Sequence, residues 1–181
     1  MALTSNVSGR MYALTVLTPI APGREEGLRR YLEGLHEERP LARVPGTHFG
    51  RWVIVPHFGV HPGPREPDAS RGSYLLFSAT FDGELDDYLD ALCTDLADAA
   101  AQIWGACIGS PDPPGGAALE AYLRRNQIDT GLFFSAYPDA SVERVRECLE
   151  TRRRTIAFAL RAQGMEPAAL RSAFLEEFGR P

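Results

Sequence analysis

The most constraining feature of the chain is the order in which the spacing of its apolar residues changes. Met11–Thr18 alternates between two faces and predicts a strand, and apolar residues at helical spacing then predict a helix up to about Glu37. Two more alternating segments, Thr47–Val55 and Tyr74–Phe81, predict a pair of strands. A helix follows from about Leu85 to Ile103. The chain therefore begins with the order strand, helix, strand, strand, helix.

The second half of the chain starts with a connector rich in Gly and Pro, Trp104–Gly116, in which a short extended piece is expected at Ala106–Ile108. A short helix over Ala117–Arg125 and a strand over Asp129–Tyr137 follow. Without the connector, the order is βαββαβ, the split arrangement of ferredoxin-like sheets. The sequence therefore predicts an α+β fold with a ferredoxin-like βαββαβ antiparallel sheet, helices on one face and additional C-terminal helices.

Helix caps and length set the expected domain organisation. Asp82 and Ser141 are expected to cap the helices that follow them, and Gly164 ends the second of these helices before a last helix begins. At 181 residues and 44% hydrophobic content, the whole chain fits one domain. Its core is expected at about residues 11–137, and its helical extension at about residues 141–179.

Composition excludes several classes of function. The formal net charge of −5 gives no basic surface for nucleic acid or an anionic membrane. All 19 basic residues are Arg, which excludes a lysine Schiff base and a P-loop lysine. The sequence also has no GxSxG, GxGxxG or CxxC motif. Because it has neither a long apolar run nor a signal-peptide pattern, we expect a cytoplasmic protein whose three cysteines are reduced.

The second predicted strand carries an imidazole and a guanidinium among aromatic and β-branched residues. His48 is a candidate general acid or base, or a core histidine bonded to a backbone carbonyl or to Asp82. Arg51 is a candidate clamp for an anionic group, or a structural partner of Asp86 or Glu84. Because strand residues alternate, the two side chains point to opposite faces unless a β-bulge intervenes.

Aromatic residues on the predicted strands suggest a ligand pocket. Gly50 lies between His48 and Trp52, where the missing side chain leaves room for a ligand to approach the backbone. We expect His48 and Arg51 to be catalytic. The residues expected to bind an apolar substrate are Trp52, Tyr74, Tyr12, Phe77 and Phe134. Core packing is the alternative explanation for these aromatic residues.

Two further histidines, His57 and His61, lie in the long loop Pro56–Gly72. Loops this long inside compact domains are more often functional than idle. With His48, the two residues could supply three nitrogen ligands to zinc, copper or iron. Because Pro and Gly exclude a helix at this HxxxH spacing, the sequence predicts no metal site and no cofactor, with haem or a transition metal as the alternative.

From Tyr12 to Tyr137 the element order resembles the dimeric α/β-barrel superfamily, which includes antibiotic-biosynthesis monooxygenases, stress-responsive barrel proteins, chlorite dismutases and dye-decolorising peroxidases. The segment Ala79–Gly83 keeps the Asp82 and Gly83 of the GxxDG motif of dye-decolorising peroxidases but lacks its first glycine. The C-terminal half also has no histidine to serve as an axial haem ligand. The resemblance therefore lies in element order, and no catalytic signature transfers with it.

A sheet of this type leaves one apolar face bare, and such a face is usually covered by a second subunit or by extra helices. We therefore expect a homodimer that binds a largely apolar small molecule, with no nucleic acid or membrane partner. The leading hypothesis is a small-molecule enzyme of specialised metabolism, namely a cofactor-independent oxygenase, cyclase or isomerase. The alternatives are a non-catalytic ligand-binding or stress-responsive barrel protein, and a haem or metal protein that uses His48 with His57 or His61.

Overall fold

The computed structural model of the chain describes residues 6–56 and 72–179. The chain divides into two compact units, residues 1–142 and residues 143–181. The first unit holds a β-sheet with its covering helices, and the second is built from a pair of helices.

The described part of the first unit is built on a four-stranded antiparallel sheet. Its strands are β1 (Val7–Ser8), β2 (Met11–Pro19), β3 (Thr47–Val55) and β4 (Tyr74–Asp82). The spatial order is β1-β2-β4-β3, and each neighbouring pair is antiparallel. As a result, β2 and β3 run parallel to each other on either side of β4. The alternating segments of the sequence predicted β2, β3 and β4 correctly.

Helices cover one face of this sheet. They are α1 (Glu25–Gly34), α2 (Leu85–Asp95), α3 (Ala97–Trp104) and α4 (Gly116–Arg125), with a short 3-10 helix at Pro40–Arg43. The prediction of one continuous helix from Leu85 to Ile103 is wrong. Leu96 separates α2 from α3 because its backbone, at φ −116° and ψ 26°, leaves the helical region.

The core lies between the sheet and these helices. Phe77 of β4 is fully buried, and its ring lies 5.2 Å from that of Trp52 on β3 and 5.4 Å from that of Trp104 on α3. Such aromatic contacts add to the free energy gained from area burial alone. On the opposite face of the sheet, Phe49 is 78% exposed and Val53 is 37% exposed. The first unit is therefore an α+β structure whose sheet has one buried face and one partly exposed face, which we call the uncovered face.

The prediction of a strand over Asp129–Tyr137 is wrong. Just before this segment the chain pairs briefly with β2, where the Ile128 backbone N–H donates to the Thr15 carbonyl at 2.8 Å. Further along β2, the edge is already occupied by β1, which pairs with Tyr12 and Met11. A longer strand therefore has no free edge on which to form.

Asn6 fixes the point at which the segment leaves the sheet. This side chain is buried, its Nδ2 donates to Asp129 Oδ1 at 3.1 Å, and its Oδ1 accepts from the Thr130 backbone N–H at 2.7 Å. Beyond these bonds the chain turns outward, and Leu132 and Phe134 are 85% and 78% exposed. The apolar run that suggested a strand is thus on the surface.

The second unit consists of α5 (Val142–Arg161), which begins at the boundary between the units, and α6 (Pro167–Phe178). Their contact is aromatic, because the Phe158 ring lies 5.8 Å from that of Phe174 and 5.4 Å from that of Phe178. Both C-terminal helices expected from the sequence are confirmed.

Candidate functional site

A groove runs between α1 and β3, the edge strand of the sheet. Its main cavity has a volume of about 490 Å³, and a second cavity of about 280 Å³ shares Leu32, His36 and Trp52 with it. We call the two together the α1–β3 groove. Its lining comprises Arg29, Leu32, Glu33, Leu35, His36, Arg39, Pro40, Leu41, Ala42, Gly50, Trp52 and Ile54.

The local structure explains why these residues meet. Residues 29, 32 and 33 are spaced i, i+3 and i+4 on one side of α1, and His36 follows in the turn after the C-cap residue Leu35, where it lines the same cavity. In β3, Trp52 and Ile54 are two residues apart and therefore point to the same face of the sheet. The groove forms where this helix stripe lies beside the edge strand.

Trp52 is the part of the groove wall that packs against buried aromatic rings. Its ring is stacked on Phe77 and meets Trp104 edge-on, with the Trp52 and Trp104 centroids 6.4 Å apart. Both supporting residues are fully buried. The position of the Trp52 ring is therefore set by the core, and a ligand in the groove would meet a preformed aromatic surface.

Charged groups at the groove are mostly basic. The lining contains three basic residues, Arg29, His36 and Arg39, and a single acid, Glu33. Arg29 also pairs with Glu25 at 2.9 Å. Among the described residues Arg39 forms no ion pair, so its guanidinium and the neighbouring His36 imidazole are the polar groups of the lining suited to an anionic group on a ligand.

The first turn of α1 is tied to the rest of the first unit through Glu25. A hydrogen bond from Ser73 lowers the pKa of this carboxyl, and the bond from Arg29 lowers it further. Ser73 directly precedes β4, so the contact links α1 to the start of a central strand. This link helps to hold the helix side of the groove in place.

His48 does not line the groove. Its Nε2 lies 3.0 Å from Asp82 Oδ1, and its side chain is only 8% exposed. The other carboxylate oxygen, Oδ2, accepts from the Val142 backbone N–H at 2.8 Å. The predicted pairing of His48 with Asp82 is confirmed, and it forms a fixed imidazole–carboxylate pair.

A β-bulge explains where His48 points. Thr47 is opposite Phe81 and Phe49 is opposite Thr80, so His48 is the extra residue of β3. The bulge allows the imidazole to reach Asp82 at the end of β4. The prediction that His48 shares a site with Trp52 is therefore wrong.

Asp82 does not cap α2 as the sequence suggested. Glu84 occupies the N-cap position of that helix, whereas Asp82 is the last residue of β4. Its carboxylate instead accepts from Val142, the first residue of α5. The acid therefore satisfies a free backbone N–H at the start of a different helix.

Arg51 and Tyr74 lie on the uncovered face of the sheet, with Arg51 opposite Ser78 and Tyr74 opposite Val55. Asp86, one of the acids expected to pair with Arg51, pairs with Arg124 instead. Within residues 6–56 and 72–179, no carboxylate forms an ion pair with Arg51. Its side chain is exposed.

The other predicted pocket residues are not brought together. Phe77 is buried in the core and supports Trp52 from behind. Tyr12 stacks on Phe81 at 5.4 Å, and its hydroxyl accepts from Gln127 Nε2 at 2.9 Å. Phe134 lies on the exposed segment that follows the hydrogen bonds of Asn6 to Asp129 and Thr130. Of the predicted set, Trp52 alone lines the α1–β3 groove.

Gly50 packs closely against the Leu41 side chain. A Cβ atom at this position would lie 2.4 Å from Leu41 Cδ1, far inside van der Waals contact. The glycine therefore makes room for Leu41 in the groove wall. The space that the sequence suggested for a ligand is taken by this side chain.

Sequence reasoning missed the α1 side of the groove. The apolar residues of α1 were assigned to the core, and Leu28 and Leu35 are indeed buried there. His36 and Arg29 lie beside that core stripe at helical spacing. Their spacing was visible, but only the packing of α1 next to β3 shows that they face Trp52.

No protein-family model, curated protein or solved structure matches the chain. In the two described ranges, no helix combines the length and apolar content needed to cross a membrane. The same ranges contain no cluster of three or more His, Cys, Asp or Glu side chains suited to a metal ion. His57 and His61, the proposed partners of His48 in a metal site, lie outside the described residues.

Proposed function

We propose that the protein binds a small organic molecule with an apolar ring and an acidic group in the α1–β3 groove. The observation that carries this proposal is a cavity of about 490 Å³ with a wall formed by Trp52 on a buried aromatic support. Cavities that hold small molecules are usually about 300–1,000 Å³ in volume. The groove falls within this range.

The lining indicates the chemical class of the ligand. Leu32, Trp52 and Ile54 provide the apolar surface, Arg39 provides positive charge at its border, and His36 provides an imidazole that can form a hydrogen bond. A ring that packs on Trp52 would place an attached carboxylate near these basic groups. The ligand is thus an amphipathic acid rather than a wholly apolar molecule.

A suitable first probe is 2-naphthoate, followed by two-dimensional NMR of the isotope-labelled chain. At about −0.3 kcal/mol per non-hydrogen atom, a ligand of this size binds with a roughly millimolar Kd. We expect shifts at Leu32, His36 and Trp52, and weaker binding of the uncharged 2-naphthamide. The proposal fails if naphthoate shifts no residue of the groove.

Two substitutions on one strand provide a matched pair. Ile54→Phe places a phenyl ring in the groove wall, whereas Val53→Phe places one on the uncovered face of the sheet. We expect Ile54→Phe to weaken naphthoate binding and Val53→Phe to leave the Kd unchanged. Equal Kd values for both variants would show that naphthoate binds outside the groove.

A second candidate function is acid–base catalysis by the His48–Asp82 pair. The specific observation is the 3.0 Å contact between His48 Nε2 and a carboxylate that is itself fixed by Val142. An imidazole oriented by a carboxylate is a common general base. A His48→Gln chain that folds normally and turns over the natural substrate at the wild-type rate would rule this function out.

We also infer that the sheet is a ferredoxin-like sheet with a reduced fourth strand. β2, β4 and β3 have the parallel and antiparallel relations of the split βαβ unit. Residues 126–128 pair with β2 at Val16, in the position of the missing strand. This inference keeps the predicted resemblance to the dimeric α/β-barrel superfamily as a hypothesis about fold.

A further inference from the structure

The longest helix presents an apolar stripe to solvent. Val145, Leu149, Ile156 and Leu160 of α5 are 39%, 47%, 49% and 67% exposed. Successive residues of a helix are about 100° apart, so these four positions lie within a narrow band on one side. We call this band the α5 stripe.

α6 does not cover the α5 stripe, because it packs on the other side of α5. Phe158 makes the aromatic contacts to α6, and Arg154 and Arg161 both pair with Glu177, at 3.1 and 2.7 Å. Phe158 lies two residues, or about 200°, beyond Ile156. The contact with α6 therefore uses the face opposite the stripe.

The second unit has little buried surface of its own. Neither α5 nor α6 contains a buried residue. Short helices in water are marginal unless an amphipathic face is packed, and most of their stability comes from such packing. The exposed stripe is thus a surface whose burial would stabilise the helix pair.

We propose that two copies of the chain associate through antiparallel pairing of their α5 helices. The intervals between the stripe residues are 4, 7 and 4 positions, which read the same in both directions. A two-fold interface must be self-complementary, so that residue i meets j and j meets i. Antiparallel pairing places Val145 opposite Leu160 of the second copy, and Leu149 opposite Ile156.

The charges beside the stripe give this pairing a distinctive salt dependence. Arg152 and Arg153 border the midpoint of the stripe, where the two-fold axis passes. Arg153 is paired with Glu150 of its own helix at 3.6 Å, so its charge is partly balanced. Arg152 comes close to Arg152 of the second copy, and salt screens this repulsion. Dimerisation therefore strengthens as salt is added.

The direct test is the mass of the full-length chain in solution by sedimentation. We expect wild type at twice the chain mass of 19.9 kDa and Leu149→Glu at 19.9 kDa. Ala157→Glu adds the same charge at an exposed position of α5 outside the stripe and about 100° from Phe158, and should remain dimeric. A monomeric wild type, or a Leu149→Glu chain that stays dimeric, would overturn the proposal.

A second control addresses the uncovered sheet face. Val53→Glu places a charge there and should leave the mass at the dimer value. If Val53→Glu is monomeric while Leu149→Glu is dimeric, the subunits meet through the sheet and not through α5.

Disulfide trapping tests the register and direction of the pair, in a Cys148→Ser background because Cys148 is exposed. The double variant Val145→Cys, Leu160→Cys should form a covalent dimer on oxidation. The cysteine at position 145 of each copy then lies opposite the cysteine at position 160 of the other. Val145→Cys alone should stay reduced. Efficient cross-linking by Val145→Cys alone would instead show parallel helices and refute the antiparallel interface.

Discussion

Trp52 and Phe77 stack across β3 and β4 with their ring centroids 5.2 Å apart, and this contact ties the α1–β3 groove to the buried core. Phe77 has no exposed surface, so it acts on the groove only through Trp52. A substitution of Phe77 should therefore change the affinity for a ligand that binds in the groove without contacting this residue.

The first prediction concerns Phe77→Leu. Loss of the ring should lower the free energy of unfolding by about 1–3 kcal/mol and weaken 2-naphthoate binding, because Trp52 loses its support. Phe81→Leu is the matched control, since Phe81 is equally buried but packs on Tyr88 and Tyr12. Urea unfolding and an NMR titration measure the two effects. If both variants lose the same affinity, the stacking on Trp52 is not what shapes the groove.

The second prediction concerns thiol reactivity. Cys148 is exposed, whereas Cys93 and Cys107 are buried, and burial raises the pKa of both buried thiols. Since the thiolate is the reactive form, the folded chain should react rapidly at one thiol and the denatured chain at all three. Titration with Ellman's reagent counts them. Rapid reaction of a second thiol in the folded chain would contradict the burial of Cys93 and Cys107.

The third prediction concerns alkaline stability. Burial raises the pKa of Cys93 from 9.0 to about 12, so the folded chain keeps this thiol protonated where the unfolded chain ionises it. Its contribution to stability is therefore complete below about pH 9 and is lost as the pH rises towards 12. Between pH 8 and pH 10, roughly, the free energy of unfolding should fall less for Cys93→Ala than for wild type. If denaturant unfolding shows that the free energies of wild type and Cys93→Ala fall in parallel over this pH range, the prediction is wrong.

The fourth prediction concerns Asn6→Ala. Removing this buried amide leaves Asp129 and the Thr130 N–H without their bonds, which should cost about 1–3 kcal/mol. Hydrogen exchange at Thr130 should accelerate, while the amides of β4 stay protected. Gln127→Ala, which removes a bond to Tyr12, is the control and should leave Thr130 exchange unchanged.

The sequence predicted the elements whose own periodicity decides their structure. β2 and β4 alternate in burial over most of their length, β3 does so only over residues 51–54, and α1 and α4 follow the helical spacing of their apolar residues. The strand predicted over Asp129–Tyr137 failed for a non-local reason. Its pattern is favourable, but β1 occupies the edge on which it would have to pair.

The candidate site depends even more on contacts between elements that are distant in the sequence. Trp52 was identified from its strand, yet its groove exists only because α1 packs beside β3. The bulge at His48 depends on how β3 pairs with β4, which the sequence of β3 alone does not contain. Residues such as His36 and Arg29 therefore became visible as a site only in three dimensions.

The most direct test of a ligand site in the α1–β3 groove is the set of NMR contacts between the naphthyl protons of bound 2-naphthoate and the side chains of the protein. We predict nuclear Overhauser effects to the Trp52 indole and to Leu32 and Ile54, the apolar residues of the groove. Contacts that instead involve only Val53 and Arg51 on the uncovered face, or only the α5 stripe, would contradict the account.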